Sequence, residues 1–240
     1  LMATKQLPNF MKVLMGCEIR DPQVLFMAIG NATSDMAPPQ VGQFESTAEL
    51  MDQWLTWTYL EGHGGGIGES YDLGFYFLAA HTEMDCMVKR NKKGYLFMTG
   101  DEPPFPALSK NIVEGIVGDK LEEDIPLAEV VAEVQKTYVP FFIIPDRTRA
   151  KQCERQWRDL LGDHVLVLED PIDVCYVSAG AMLINEGRAS SIKELAELLD
   201  NAGMPADRRN SVVRTLTPFA EVILNGKNSS NWFSRFIKGS

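Results

Sequence analysis

The stretch GYLFMTGDEPPF, residues 94–105, constrains this chain more than any other. Tyr95, Leu96, Phe97 and Met98 form a short apolar run behind the basic, turn-like NKKG, and Gly100-Asp101 followed by two prolines ends that run abruptly. The pattern predicts a buried strand that closes on an acid. In an open α/β sheet the carboxyl ends of the strands form the crevice where ligands bind, so Asp101 is expected at the rim with its carboxylate directed outward. The plainer alternative is that Asp101 caps the turn that follows.

The flanking sequence alternates between the periods of helix and strand. Residues 3–16 place Leu7, Phe10, Met11 and Leu14 at helical spacing, and 23–29 (QVLFMAI) read as a strand buried on both faces. The polar 31–35 is a loop, and 41–44 an edge strand. Thr47 is the expected N-cap of a helix whose Met51, Trp54, Leu55, Thr58 and Tyr59 make an aromatic core stripe. GHGGGIG at 62–68 interrupts regular structure, and a helix resumes over 69–81. Further helices are expected over 107–117, from Pro126 as first helical residue (Leu127, Val130, Val131, Val134 and Tyr138 on one face), and over 149–161 with Cys153, Trp157, Leu160 and Leu161 aligned. Strands fall at 139–145, closing on Asp146, and at 165–168, closing on Glu169 and Asp170.

This alternation specifies an α/β fold, a Rossmann-like, mainly parallel sheet flanked by helices. From Pro171 onward the pattern is helical only, over 171–186, 191–200 and 207–223. The expected organisation is an α/β domain over 1–186, a helical extension over 187–225 and a tail over 226–240 bearing Trp232, Phe233, Phe236 and Ile237.

Composition restricts partners. With 23 Lys+Arg against 33 Asp+Glu the chain carries a net charge of -10, which repels phosphate backbones and anionic lipid, so nucleic acid is not an expected partner. Cys17, Cys86, Cys153 and Cys175 are widely spaced without a CxxC pair, which points to a reducing compartment. No apolar run approaches the roughly 20 residues of a membrane helix, and no signal segment opens the chain; membrane insertion is not expected and the cytoplasm is the expected location. The chain opens on Leu1 inside a helical pattern, which suggests that residues precede it in the natural protein.

The glycine loop at a helix N-terminus could cradle an anion, yet it fits neither GxGxxG nor GxxxxGK[ST]. His63-Gly64-Gly65-Gly66 is similar to the oxyanion loop of lipases and esterases, but no GxSxG elbow follows. Gly100-Asp101 resembles the acidic motif of haloacid-dehalogenase phosphohydrolases, but the second Asp and the DxD strand are missing. His63, His81 and His164 are too scattered for a metal triad.

Glycine-rich loop, helix, buried strand, Gly-Asp and proline occur here in the order found in one family. Gly64-Gly65-Gly66 with Gly100-Asp101-Glu102-Pro103, in the context of residues 61–105 and the strands on either side, resembles a von Willebrand factor A-like (VWA) domain of the intracellular bacterial and kinase-associated branch; the resemblance covers about residues 3–186. It implies a metal-ion-dependent adhesion site made by three loops at the strand ends. Asp101 would be the third-loop ligand and Ser70 or Glu69 the second-loop ligand of Mg²⁺, a hard cation that takes about six oxygens. The family's DxSxS loop and the strand before it do not occur in the chain, and are expected upstream of Leu1. The function implied is that of a protein-binding module engaging a partner at the strand-end crevice. The alternatives are a metal-free scaffold, acting as an oligomer or in a larger assembly, and a metal-dependent phosphohydrolase with Asp101 and Asp146 as ligands.

Overall fold

The computed structural model describes residues 10–16, 19, 21–61 and 68–237, with 226–237 as backbone alone. The chain divides into two compact units that interleave in sequence. One comprises 1–22, 145–147 and 166–240, the other 23–144 and 148–165.

The second unit is organised by strand β3 (Gly94–Thr99), which pairs in parallel with β6 (Tyr138–Ile144) from Gly94 opposite Tyr138 to Thr99 opposite Ile143. With β7 (Val165–Val167) these form a three-stranded parallel sheet in the order β3-β6-β7. The protein is therefore α/β, a parallel sheet flanked by helices. The helix α6 (Leu127–Thr137) connects β3 to β6 as a crossover must, and it buries Leu127, Val130, Val131 and Val134, the 3.6-residue stripe legible in its sequence.

Side-chain alternation then sorts the sheet's aromatics by face. Tyr95, Phe97 and Phe141 share one face and stack in series, with Phe97 and Phe141 rings 5.1 Å apart and His164 against Phe141 at 4.5 Å. Met98 and Phe142 point the other way. There Phe142 stacks on Trp157 of α7 (Arg147–Leu161) at 3.8 Å and 14°, and Tyr71 of α3 (Tyr71–His81) meets both rings edge-on. Trp157, Phe142 and Phe141 are fully buried.

Several expectations give way to local chain geometry. The run 23–29 is not a strand buried on both faces. Only β1 (Met27–Ala28) forms, half-buried and antiparallel to β2 (Gln40–Val41), with an isolated bridge from Val24 to Glu45. The loop ending in Pro38-Pro39 returns the chain beside itself, so the run pairs with its sequence neighbour and not with the parallel sheet. Thr47 does cap α2 (Ala48–Trp57), accepting from Leu50 N–H at 3.4 Å. The α2 stripe is not core, however: of its positions only Met51 is buried, while Trp54, Leu55 and Thr58 are half-buried and Tyr59 is exposed.

The helix expected from 107 starts later, as α5 (Lys110–Ile116) behind Ser109, because β4 (Ala107–Leu108) pairs antiparallel with β5 (Ile125–Pro126). Pro126 consequently sits at the cap of α6, extended at ψ 135°, not inside its first turn. A short α4 (Asp85–Arg90) precedes β3, and Asn91 in the left-handed region stops it.

In the first unit residues 10–16 form α1, and α8 (Val174–Asn185), α9 (Ile192–Asn201) and α10 (Ala206–Ile237) pack together. Gly180 lets α8 and α10 approach, since a Cβ there would lie 2.4 Å from Leu216 Cδ1. Asp173, 1% exposed, accepts from Arg208 Nε at 2.8 Å and Ser211 Oγ at 2.6 Å, which ties α10 to the 3-10 turn Pro171–Asp173. Among the described residues no helix is long and apolar enough to cross a membrane. Expectations for 3–9, 62–67 and the side chains of 226–240 lie outside the described residues.

The Phe142–Trp157 stack generates the first prediction. Phe142→Ala should destabilise the fold by about 3–5 kcal/mol in urea unfolding followed by tryptophan fluorescence. A loss of about 1 kcal/mol, typical of an arbitrary substitution, would show that the stack does not hold the sheet to α7.

Candidate functional site

Beyond the carboxyl end of β3, three loops of the second unit come together. Gly100 N–H extends the sheet pairing by donating to Ile143 O at 3.0 Å, and the chain then turns through Asp101 and Glu102. Gly100 is required there, because a Cβ would stand 2.2 Å from the Tyr71 hydroxyl. The phenol oxygen of Tyr71 accepts from the backbone N–H groups of Glu102 and Asp101, and burial holds its ionisation well above the usual value. The start of α3 is thereby fastened to the turn after β3.

A loop expected only to connect strands supplies the third part. Asn31 Nδ2 donates to Gly68 O at 2.9 Å, Ala32 N–H donates to Ser70 Oγ at 2.9 Å, and Ser70 N–H donates to Gly30 O at 3.2 Å. Asp35 in turn accepts from Asn31 N–H at 2.8 Å and Ser34 Oγ at 3.0 Å, which closes the loop on itself. Gly68 takes φ +89°, in the left-handed region that suits glycine, with the Phe105 ring beside it.

Ser70, Glu69 and Asp101 are thus neighbours on one rim, in three different electrostatic states. Ser70 is buried and its Oγ is engaged by Ala32. Glu69 has a carboxylate oxygen, Oε2, that is buried without a hydrogen-bond partner. Its pKa is raised, first by burial and then by the negative charges of Asp35, Glu102 and Asp101. Asp101, 42% exposed, lies 3.2 Å from Arg149 Nε at ion-pair distance but without the alignment of a hydrogen bond. The far end of the same guanidinium pairs with Glu102.

Asp35, Glu102 and Arg149 are site residues that the linear reading passed over. Glu102 is adjacent to Asp101 in sequence and could have been found there. Arg149 arrives from the first turn of α7, 47 residues beyond Glu102, and no local pattern marks it. The backbone of Glu102 is held in addition by Trp157 Nε1, which donates to its carbonyl at 3.0 Å.

Magnesium needs about six oxygens in near-octahedral array. Among the described residues no group of three or more His, Cys, Asp or Glu is placed to hold a metal ion. Of the donors that resemblance assigns to Mg²⁺, Asp101 is engaged by Arg149 and Ser70 by Ala32, which leaves an oxygen of Glu69 without a hydrogen-bond partner. As arranged, the side chains do not fit the ion, and Arg149 supplies the positive charge of the rim. Asp146 follows β6 in the other unit. The acids after β7 have structural partners: Glu169 pairs with Arg147 at 2.9 Å and with Arg214, while Asp170 accepts from Ile172 N–H at 3.0 Å and pairs with Arg208. Comparison of the chain with family models, curated proteins and solved structures returned no match.

Just behind the rim, Asp72 is 4% exposed and its Oδ1 has no partner. Burial raises its pKa from 3.8 to about 6 despite backbone N–H contacts from Leu73 and Asp72. The folded value lies above the ordinary one, so the folded state binds the extra proton between them. The penalty of burying the charge is absent below pH 3.8, grows as pH rises through this window and is complete above about 6. Asp72→Asn should therefore raise stability at pH 7 by about 1–3 kcal/mol and have little effect at pH 3.5, read from urea unfolding at the two pH values.

Proposed function

We propose that the chain is a protein-binding module of the von Willebrand factor A type, which engages its partner at the rim formed by Glu69, Ser70, Asp101 and Glu102. The supporting observation is the convergence of the loops around 30–35, 68–72 and 100–102 at the carboxyl end of the parallel sheet, where such folds bind ligands. In this family's metal-loaded sites a cation accepts a carboxylate from the partner. Here the carboxylates of Asp35, Asp101 and Glu102 act on that of Glu69, and a single guanidinium, that of Arg149, pairs with two of the four. The surplus is negative, so the rim selects a positive group, a lysine or arginine of the partner.

Mg²⁺ belongs to the same proposal only if it displaces Arg149. Isothermal titration of Mg²⁺ and Mn²⁺ into the full chain and into Asp101→Ala tests this. Heat that vanishes in Asp101→Ala would restore the metal; equal traces would remove it.

For the rim itself, a photo-crosslinking residue at position 34 should capture a partner from native extract. Asp101→Ala should cut the yield by at least about five-fold, as loss of a partnered interfacial charge does. Undiminished capture would sink the proposal.

A scaffold role is favoured by one feature, the helix of α10 that runs to Ile237 although the last of its described buried residues is Ala220. Deleting 226–240 and leaving Asp101 intact separates the two: partner loss on deletion alone points to the scaffold. The phosphohydrolase alternative requires EDTA-sensitive turnover of a generic phosphate ester.

A further inference from the structure

The net charge of -10 is not spread along the chain. Residues 21–88 contain ten Asp or Glu and no Lys or Arg, so this stretch accounts for all of it and the remainder is balanced. Within it lies a surface that the strand-end rim does not use. Phe26, Gln40, Val41, Gly42, Trp54, Trp57 and Thr58 line a shallow groove between the β1-β2 ribbon and α2.

The groove is built from fixed parts. Gln40 clamps the backbone of Tyr59, its Nε2 donating to Tyr59 O at 2.9 Å and its Oε1 accepting from Tyr59 N–H at 2.8 Å. Trp54 is held by donation from Nε1 to Glu45 Oε1 at 3.1 Å, and Gly42 forms a floor that a Cβ would close, 3.0 Å from the indole. Trp57 stands edge-on to Trp54 at 5.6 Å and 80°, and is 66% exposed. Leu50, Trp54 and Trp57 follow the helical i, i+4, i+7 spacing, and Leu50, at 40%, and Leu60, at 67%, continue the exposed apolar surface. Glu49 and Asp52 are exposed on the same helix, and among the described residues neither they nor Glu45 joins an ion pair.

We propose that this groove binds an extended, lysine- or arginine-bearing segment of a partner protein. Exposed tryptophan at a preformed groove is the usual anchor of a protein interface. A cation laid on the Trp57 face gains from the ring's quadrupole, Glu45 brings a carboxylate to the groove where it holds Trp54, and Glu49 and Asp52 add negative charge from the same helix as the tryptophans. The exposed apolar residues run from Leu50 to Trp57 over about two helical turns, with Leu60 beyond the helix end, more than one side chain can cover, which favours a peptide segment over a small cation. The absence of Lys and Arg across 21–88 leaves no internal competitor in that stretch.

The test uses two fluorescein-labelled nonapeptides, one repeating Lys-Leu-Ala and one with Glu at each Lys, titrated against the full chain by anisotropy. The basic peptide should bind, with affinity falling as salt rises, and the acidic one should not. Trp57→Ala, at an exposed position where circular dichroism should be unchanged, is expected to weaken binding by about ten-fold. Glu49→Gln with Asp52→Asn should weaken it roughly five-fold and flatten the salt dependence. Binding that survives Trp57→Ala within about two-fold, equal binding of the acidic peptide, or no binding at all would overturn the proposal. So would sedimentation showing a dimer that Trp57→Ala dissolves, which would make the groove a contact between copies of this chain. Loss on Asp101→Ala instead would place the basic segment at the rim.

Discussion

Trp157 makes the packing of the sheet and the geometry of the rim a single problem. Its ring lies on Phe142 of β6 and against the edge of Tyr71, while its indole N–H holds the carbonyl of Glu102. Tyr71 closes the circuit by accepting from the backbone of Glu102 and Asp101. A buried Trp and a buried Tyr each need a hydrogen-bond partner, and both find one in the same turn after β3. The turn is therefore set from beneath by apolar packing before any of its carboxylates is considered. Movement of α7 relative to the sheet would shift Asp101 and Glu102 together, and with them the first-turn Arg149 that pairs with both.

Electrostatics above that turn are unbalanced by design of the loops. Asp35 is spent on its own loop, Asp101 and Glu102 share Arg149, and Glu69 retains a buried oxygen with nothing to accept from. A carboxylate desolvated among other carboxylates is destabilised in its charged form, which is why its pKa rises. Two responses can relieve it: uptake of a proton, or arrival of a positive group. The first leaves the loops as they are, and the second is the response on which the proposed partner contact rests.

Legibility in the sequence followed the strength of periodicity and the locality of the contacts. α6, β6 and α7 were readable because each buries a continuous run or a helical stripe, and the structure buries Val130, Val134, Phe142 and Trp157 accordingly. β3 forms where its apolar run predicts a strand, but only Met98 of that run is buried and Tyr95, Leu96 and Phe97 are half-buried. The run 23–29 misled because an apolar stretch states that burial is wanted without stating which strand will provide it, and a nearby return of the chain provided a ribbon instead. The α2 stripe misled more usefully. Its spacing was that of a core face, yet of that stripe only Met51 is buried, and Tyr59 and the neighbouring Trp57 are exposed. Arg149 was not legible, since its role depends on where α7 begins relative to a turn 47 residues earlier. The lysine- and arginine-free stretch over 21–88 was fully present in the sequence, and a charge count by segment would have exposed it where the whole-chain total concealed it.

An acid at the end of a parallel strand is a weak sign of function until its counter-charges are counted. Glu169, after β7, also stands at a strand end, but Arg147 and Arg214 both pair with it and pull its pKa down. Asp170 is consumed by a turn and by Arg208. These acids organise the fold, because each positive partner is supplied by the chain itself. After β3 the balance reverses: one guanidinium serves two carboxylates, two more lie near, and burial raises the pKa of Glu69 where it would otherwise be lowered by pairing. That deficit sets the turn after β3 apart from the end of β7. The distinction between Asp101 and Glu169 is thus not position along a strand but the sign of the charge left over.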